Sequence, residues 1–150
     1  MFSARWFTGF EDLSDAHAIR RRVFIEEQGI AEEDEMDGTD TAAFHLVLYE
    51  DSRPAGTGRI LLSGGEYALG RIAVLPEFRH RRYGDLIVRL LIRKACEMGG
   101  EKQILHAQTQ VRGFYEKLGF IADGGEFMEA GIPHITMAHI GDIGGKTAEK

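Results

Sequence analysis

The sequence predicts an α+β domain in which a mixed, mostly antiparallel central sheet carries helices on both faces. Three observations predict it. Short apolar runs separated by tight turns come first, a strand–helix–strand–helix passage follows, and Phe44 to Glu50 carries Leu46 and Leu48 on one face with Val47 and Tyr49 on the other. A strand apolar on both faces is covered on both. At 150 residues, 43% hydrophobic and 28% charged, the chain has the size and balance of one globular domain. That domain is expected over residues 1–140, with a frayed tail from Gly141 and no internal repeat or linker.

The elements follow in order. Met1 to Phe7, with Phe2, Trp6 and Phe7, reads as a strand. Asp12 then caps an amphipathic helix to Arg22 through Leu13, Ala16, Ile19 and Val23. The segment from Glu26 to Asp40 holds eight carboxylates and little apolar relief, so it reads as surface. Phe44 to Glu50 is the second strand; Asp51-Ser52-Arg53-Pro54 turns it into Ala55 to Leu62, and Ser63-Gly64-Gly65 turns that into Tyr67 to Val74. After Pro76 the period changes to a helix with Leu86, Ile87, Leu90, Leu91 and Ala95 on one side and Arg89, Arg93 and Glu97 on the other, ended by Gly99-Gly100. Gln103 to Gln108 is a strand, Arg112 to Leu118 a short helix stopped by Gly119, and Phe120 to Phe127 and Ile132 to Ile140 a closing pair.

Composition excludes several classes. The net charge of −6 opposes general binding to nucleic acid. No apolar stretch is long enough for a membrane span, and the N-terminus lacks the pattern of a signal peptide. The single cysteine, Cys96, lies in a helical apolar pattern and reads as a buried structural thiol, which suits a reducing, cytoplasmic setting. His17, His45, His80, His106, His134 and His139 are scattered and make no metal-ligand pattern. His134 and His139 should face opposite sides of one strand.

The chemistry concentrates where strand Tyr67–Val74 runs through Leu75-Pro76-Glu77-Phe78-Arg79-His80-Arg81-Arg82-Tyr83-Gly84-Asp85 into the long helix. A helix start offers unpartnered N–H groups and the positive end of the dipole, so an anion is stabilised there, with Arg79, Arg81 and Arg82 alongside. Gly84 lets the backbone approach a ligand closely. A diphosphate is the fitting ligand. A solvated arginine patch is the competing reading on spacing alone, and no lysine-serine or lysine-threonine pair supports a nucleotide-hydrolase P-loop.

The run Ile72-Ala73-Val74-Leu75-Pro76-Glu77-Phe78-Arg79 through Gly84 resembles motif A of the GNAT family of N-acetyltransferases, with Arg79 and Gly84 matching the ends of its core and Arg82 standing where its first glycine normally sits. Phe114-Tyr115-Glu116-Lys117-Leu118-Gly119-Phe120 is similar to motif B of that family, and the Val23 to Gln28 and Gly131 to Met137 segments look like its small bacterial ElaA-like branch. The resemblance implies an acetyl-CoA-dependent N-acyltransferase acting on a primary amine of a small molecule or peptide. Coenzyme A would lie against the backbone of Ile72, Ala73 and Val74 and the turn of Arg79, His80, Arg81, Arg82, Tyr83, Gly84 and Asp85, with the Arg82 side chain directed outward. Gln108 would stand where relatives contact the pantetheine arm, and Tyr115, beside Phe114, would reach the cofactor sulfur.

Acyl transfer needs a neutral amine, and an amine of pKa ~10.4 must lose a proton first. Glu26, Glu27, His45, His106 and His134 are the candidate bases, with Glu27 and His106 foremost. His106 could face either the site or the core. Tyr115 is the candidate proton donor to the leaving thiolate, and a backbone N–H near Val74 the candidate to polarise the acyl oxygen. The acidic segment could draw in a cationic amine or simply be solvated. A binding module that senses acyl-CoA without turnover is the rival reading, and exposed strand edges leave room for a homodimer.

Overall fold

The computed structural model describes residues 1–143. Seven strands form one sheet in the order β1-β2-β3-β4-β5-β7-β6: β1 (Phe2–Thr8), β2 (Ala43–Glu50), β3 (Arg53–Ser63), β4 (Glu66–Val74), β5 (Lys102–Gln108), β6 (Ile121–Glu129) and β7 (Ile132–Ile140). Only β4 and β5 pair in parallel, which is the consequence of the helical crossover between them. The remaining pairs are antiparallel. The expected tail starts with Gly141, whose N–H donates to the Glu101 carbonyl at 2.7 Å; 144–150 lie outside the described residues.

Helices cover both faces, as the two-sided pattern of β2 requires. Leu46 and Leu48 join one core with α3 (Tyr83–Glu97) and α4 (Arg112–Lys117). Val47 and Tyr49 join the other with α1 (Ser14–Arg20) and the turn that continues it. In α3 the fully buried stripe is Ile87, Val88, Leu91, Ile92 and Ala95, each at 0% exposure, while Leu86 and Leu90 sit at its margin. Such burial contributes about 1.5–3 kcal/mol per large aliphatic side chain. The helix can lie this close because β3 presents Gly58 beneath it: a Cβ there would come within 2.8 Å of Leu91 Cδ1.

Two local features differ from the sequence expectation. The first helix starts at Ser14 with Leu13, not Asp12, at its N-cap; the Asp12 Oδ1 accepts the Ser14 N–H at 2.9 Å just ahead of it, and the helix widens after Arg20 into a π-helical stretch, Arg21–Glu27. The acidic segment contains a short α2 (Glu32–Glu35) and is not wholly surface. Glu35 is 3% exposed and Asp40 points inward, because Arg20 of α1, Arg59 of β3 and Arg71 of β4 pair with them there.

Candidate active site

β4 and β5 are paired over only three positions, Tyr67–Leu69 against Gln103–Leu105. Beyond them the strands part. On the β3 side, β4 carries a bulge, with the register shifting between Thr57 and Arg59 and Arg71 at a φ of 51°. A bulge bends and twists its strand, which is a physical reason for the parting. The backbone groups of β4 that face away from β3 therefore open onto a gap rather than a neighbour. A groove of about 680 Å³ occupies it, lined by Ile72, Ala73 and Val74 on one side and His106, Ala107 and Gln108 on the other.

Val74 and Phe114 also line a second hollow of about 570 Å³ at the start of α3, formed by Phe78, Arg79, His80, Arg82, Tyr83, Gly84 and Asp85. His80 and Arg82 hold left-handed backbone conformations, φ 68° and 62°, which curl the chain so that the first turn of α3 faces this hollow. No side chain caps that turn, so its N–H groups and the helix dipole remain available to an anion. Glycine adopts a positive φ at no steric cost, whereas arginine is strained there; this is the physical departure that Arg82 represents. Its side chain is exposed. Gly84 meets no packing demand, since a Cβ there would find only the Phe114 ring, Cζ at 3.6 Å and Cε1 at 4.0 Å, in ordinary contact.

The three arginines of the turn have separate fates. Arg79 donates from Nε to the Val74 carbonyl at 2.9 Å and grips Glu27 with both terminal nitrogens at 2.9 and 2.7 Å. Arg81 pairs with Glu50, lies over the Phe78 ring and is absent from the lining of the hollow. Arg82 lines the hollow and has no ion pair among the described residues.

Inside the groove, Tyr115 is 9% exposed and packs edge-on against Phe114 and Phe120. Burial pushes its phenol up to about 12, because a phenolate there would lose its hydration. Among the described residues no group hydrogen-bonds its hydroxyl. His106 faces the groove and not the core, and its Nδ1 lies 2.8 Å from Glu129 Oε1. A proton on Nδ1 satisfies that contact and leaves Nε2 with its lone pair. His134 lies diagonally across the β5–β7 register, lines the same groove, and directs Nδ1 to the Ile132 carbonyl at 2.7 Å. His139 faces the other side, against Phe120 and Gln103. Gln108 donates to Gln28 at 2.8 Å, which ties the end of β5 to the end of the π-helical stretch.

An ionic network supports the far wall. Arg20 binds Glu35 Oε2 at 2.5 Å and Asp40 Oδ1 at 2.8 Å; Arg59 binds Asp40 Oδ1 at 2.9 Å. Arg71 donates to the Glu35 carbonyl at 2.9 Å, and its Nε lies 3.1 Å from Glu35 Oε1 at an angle too poor for a hydrogen bond. Burial pushes the Asp40 carboxyl up, but Arg20, His17 and Arg59 outweigh it and hold it well below the usual carboxylate range.

The structure thus brings Tyr115, His106, Gln108, Phe114 and the Ile72 to Val74 edge to one cleft, and the Arg79 to Asp85 turn, without the Arg81 side chain, to the adjoining one. Glu27 lies outside both linings, paired to Arg79, which lowers its pKa. Of the other candidate bases, Glu26 is exposed and lines neither, and His45 is buried against the Asp40 carbonyl. Sequence reasoning missed Glu129 as the partner of His106, and no local signal marks it, since the two lie 23 residues apart. Among the described residues no cluster fit for a metal ion occurs, and no helix is long and apolar enough to cross a membrane.

Comparison with known proteins agrees with this geometry. Residues 11–140 match the family model described as an acetyltransferase (GNAT) domain. YyaT of Bacillus subtilis (strain 168) is 44% identical over 129 residues, which cover 84% of this chain and 87% of YyaT. The N-acetyltransferase YjcF of the same organism, itself uncharacterized, is 38% identical over 128 residues, covering 85% of this chain and 91% of YjcF. Among solved structures, an acyl-CoA N-acyltransferase from Pseudomonas aeruginosa superposes with a TM-score of 0.85 at 23% identity, covering 93% of this chain and 99% of that one. Escherichia coli ElaA does so at 0.83 and 25%, with the same coverage. The chain therefore belongs to the GNAT family of acetyltransferases, the acyl-CoA-dependent N-acyltransferases.

Proposed function

We propose that the protein transfers an acetyl group from acetyl-CoA to a primary amine on a small molecule or peptide. The observation that carries this reading is the parting of β4 and β5 beside the uncapped first turn of α3, with the Tyr115 hydroxyl unpartnered in the gap. The residues present fit the cofactor. The α3 turn supplies N–H donors, Arg82 an unpaired cation, Gly84 a backbone that packing does not require to be bare, and β4 an edge that β5 does not pair beyond Leu69, on which the Val74 carbonyl is held by Arg79. The α3 turn and Arg82 would hold the diphosphate, and Ile72, Val74 and Gln108 the pantetheine arm. When bound, acetyl-CoA supplies a thioester whose acyl carbon is open to an amine.

The chain's own groups manage protons. His106 Nε2 accepts one from the incoming ammonium, directly or through one water, while Glu129 holds the ring in the tautomer that leaves Nε2 free. Reaching the neutral amine from a pKa of ~10.4 costs roughly 4 to 5 kcal/mol at neutral pH, so a positioned base is what the step needs. Tyr115 keeps its proton on Oη through the working range and can release it toward a departing sulfur. Glu27 acts through Arg79, which it holds against the Val74 carbonyl.

The test is release of free thiol from acetyl-CoA across a panel of amines. Amine-dependent release supports the reading. Tight binding of acetyl-CoA without release for any amine would instead identify a sensing module.

A further inference from the structure

One polar side chain of the groove is left without a task by the chemistry above. His134 is 7% exposed and lines the groove. Its Nδ1 lies 2.7 Å from the Ile132 carbonyl, which only accepts, so Nδ1 carries the proton and the neutral ring keeps a lone pair on Nε2. Nε2 has no partner among the described residues, yet it is not sealed: the one sealed side-chain nitrogen or oxygen without a hydrogen bond there is Arg71 Nε. The lone pair of His134 therefore opens on the groove, fixed as an acceptor. No carboxylate pairs with this ring among the described residues, and it stacks on Phe127 with centroids 6.0 Å apart; His106, by contrast, has Glu129. A protonated His134 would be a buried charge without a counter-charge, so the ring is suited to receive a hydrogen bond rather than a proton.

From this we infer that His134 is a specificity-determining residue: its Nε2 accepts a hydrogen bond from a neutral donor, a hydroxyl or an amide N–H, that the acceptor carries in addition to its reacting amine. The inference rests on the acyltransferase reading above and assigns that site a second point of recognition. Register sets the spacing. His106 pairs with Thr136 and Gln108 with His134, so the two imidazoles stand on one face as diagonal neighbours, roughly 7–8 Å apart at the backbone. A donor about two to four carbons from the nitrogen that meets His106 spans that distance. An acceptor with a methyl group in its place strips water from Nε2 and returns no hydrogen bond, which is a stronger ground for rejection than a difference in size.

Thiol release from acetyl-CoA by the full-length protein tests it with acceptors of matched length: an amino alcohol, the alkylamine in which methyl replaces hydroxyl, and the methyl ether that keeps the oxygen but has no hydrogen to give. Aminopropanol, butylamine and methoxypropylamine are one such set, and the sets with one carbon fewer and one more bracket the distance. In the best set the expected kcat/KM for the alcohol is about tenfold above the alkylamine, with the ether no better than the alkylamine. His134→Phe keeps a ring against Phe127 and brings the ratio to about twofold or less; His134→Gln, whose Oε1 accepts where Nε2 stood, restores a ratio of about fivefold or more. If His134→Phe does not fold, the wild-type sets and His134→Gln decide alone. Equal rates for alcohol and alkylamine in the wild type, a ratio that survives His134→Phe, or an equal loss for all three acceptors in both variants overturns the inference and leaves the acyltransferase reading standing. Absence of release with every amine overturns that reading and this inference with it.

Discussion

Glu27 and Arg79, 52 residues apart in the chain, face each other with two parallel hydrogen bonds of 2.7 and 2.9 Å. The pair fastens the end of the π-helical stretch to the turn that precedes α3, and Arg79 in turn holds the carbonyl of Val74. Both side chains are more than a third exposed, so the pair contributes about 1 kcal/mol or less to stability once solvent screening is allowed for. Its effect is on geometry. Arg79 lowers the pKa of Glu27, so its share of stability is present above the ordinary carboxylate range and lost as pH falls through the depressed value. At neutral pH the pair is intact, and Glu27 is a poor proton acceptor.

Glu27→Gln should therefore lower kcat/KM by less than about tenfold and leave the shape of the pH–rate profile above pH ~6 unchanged, because His106 is the proposed base. Loss of a titrating limb in that profile would return Glu27 to the position of base.

Gly84→Ala separates packing from cofactor binding. The site has room for the methyl group, and alanine is the better helix former by about 0.5–1 kcal/mol, so the melting temperature should hold or rise. Affinity for coenzyme A by calorimetry should fall by about tenfold or more, as a side chain now stands where main-chain donors meet the diphosphate. Unchanged affinity would place the diphosphate elsewhere.

How much of this was legible in the sequence depends on the range of the interactions. The two-sided β2 is written in near neighbours and emerged where alternation put it; in α3, Ile87, Leu91 and Ala95 are buried as expected, while Val88 and Ile92 complete the stripe and Leu86 and Leu90, expected in it, lie at its margin. The inward turn of Glu35 and Asp40 was not legible, because it depends on Arg20, Arg59 and Arg71 arriving from α1, β3 and β4. The same holds for His106, whose facing the sequence left open between site and core and whose carboxylate partner comes from the far end of β6. Arg79, Arg81 and Arg82 read as one basic cluster, and only tertiary contacts assign two of them to Glu27 and Glu50.

Tyr115→Phe removes a proton source without leaving a cavity. Turnover should drop by about tenfold to a hundredfold while the affinity for coenzyme A stays within about twofold. Because burial holds the phenol at about 12, the wild-type rate should show no alkaline limb from this group below pH ~10. Equal turnover in the variant would remove Tyr115 from the mechanism.

His106→Ala should reduce turnover by about a hundredfold, and Glu129→Gln by a smaller factor, since the amide can still accept the Nδ1 proton but no longer stabilises the imidazolium. Steady-state kinetics at saturating acetyl-CoA measures both. A larger loss in His134→Ala than in His106→Ala would transfer the role of base to His134.

Asp40 makes stability pH-dependent. Its carboxyl lies well below the range of an unfolded aspartate at ~3.9, so its contribution is full above that value and declines as pH falls through the folded one. Asp40→Asn should cost about 3–5 kcal/mol at pH 7, because Arg20 and Arg59 lose a buried counter-charge. It should also flatten the acid slope of the denaturation midpoint; an unchanged slope would mean that other carboxylates control it.

Amide hydrogen exchange of the full chain with and without acetyl-CoA tests the central claim most directly, because that claim concerns main-chain donors. New protection should concentrate at Ile72 to Val74 and at Arg79 to Asp85. Protection confined to other strands, or none in those two segments under saturating cofactor, would contradict it.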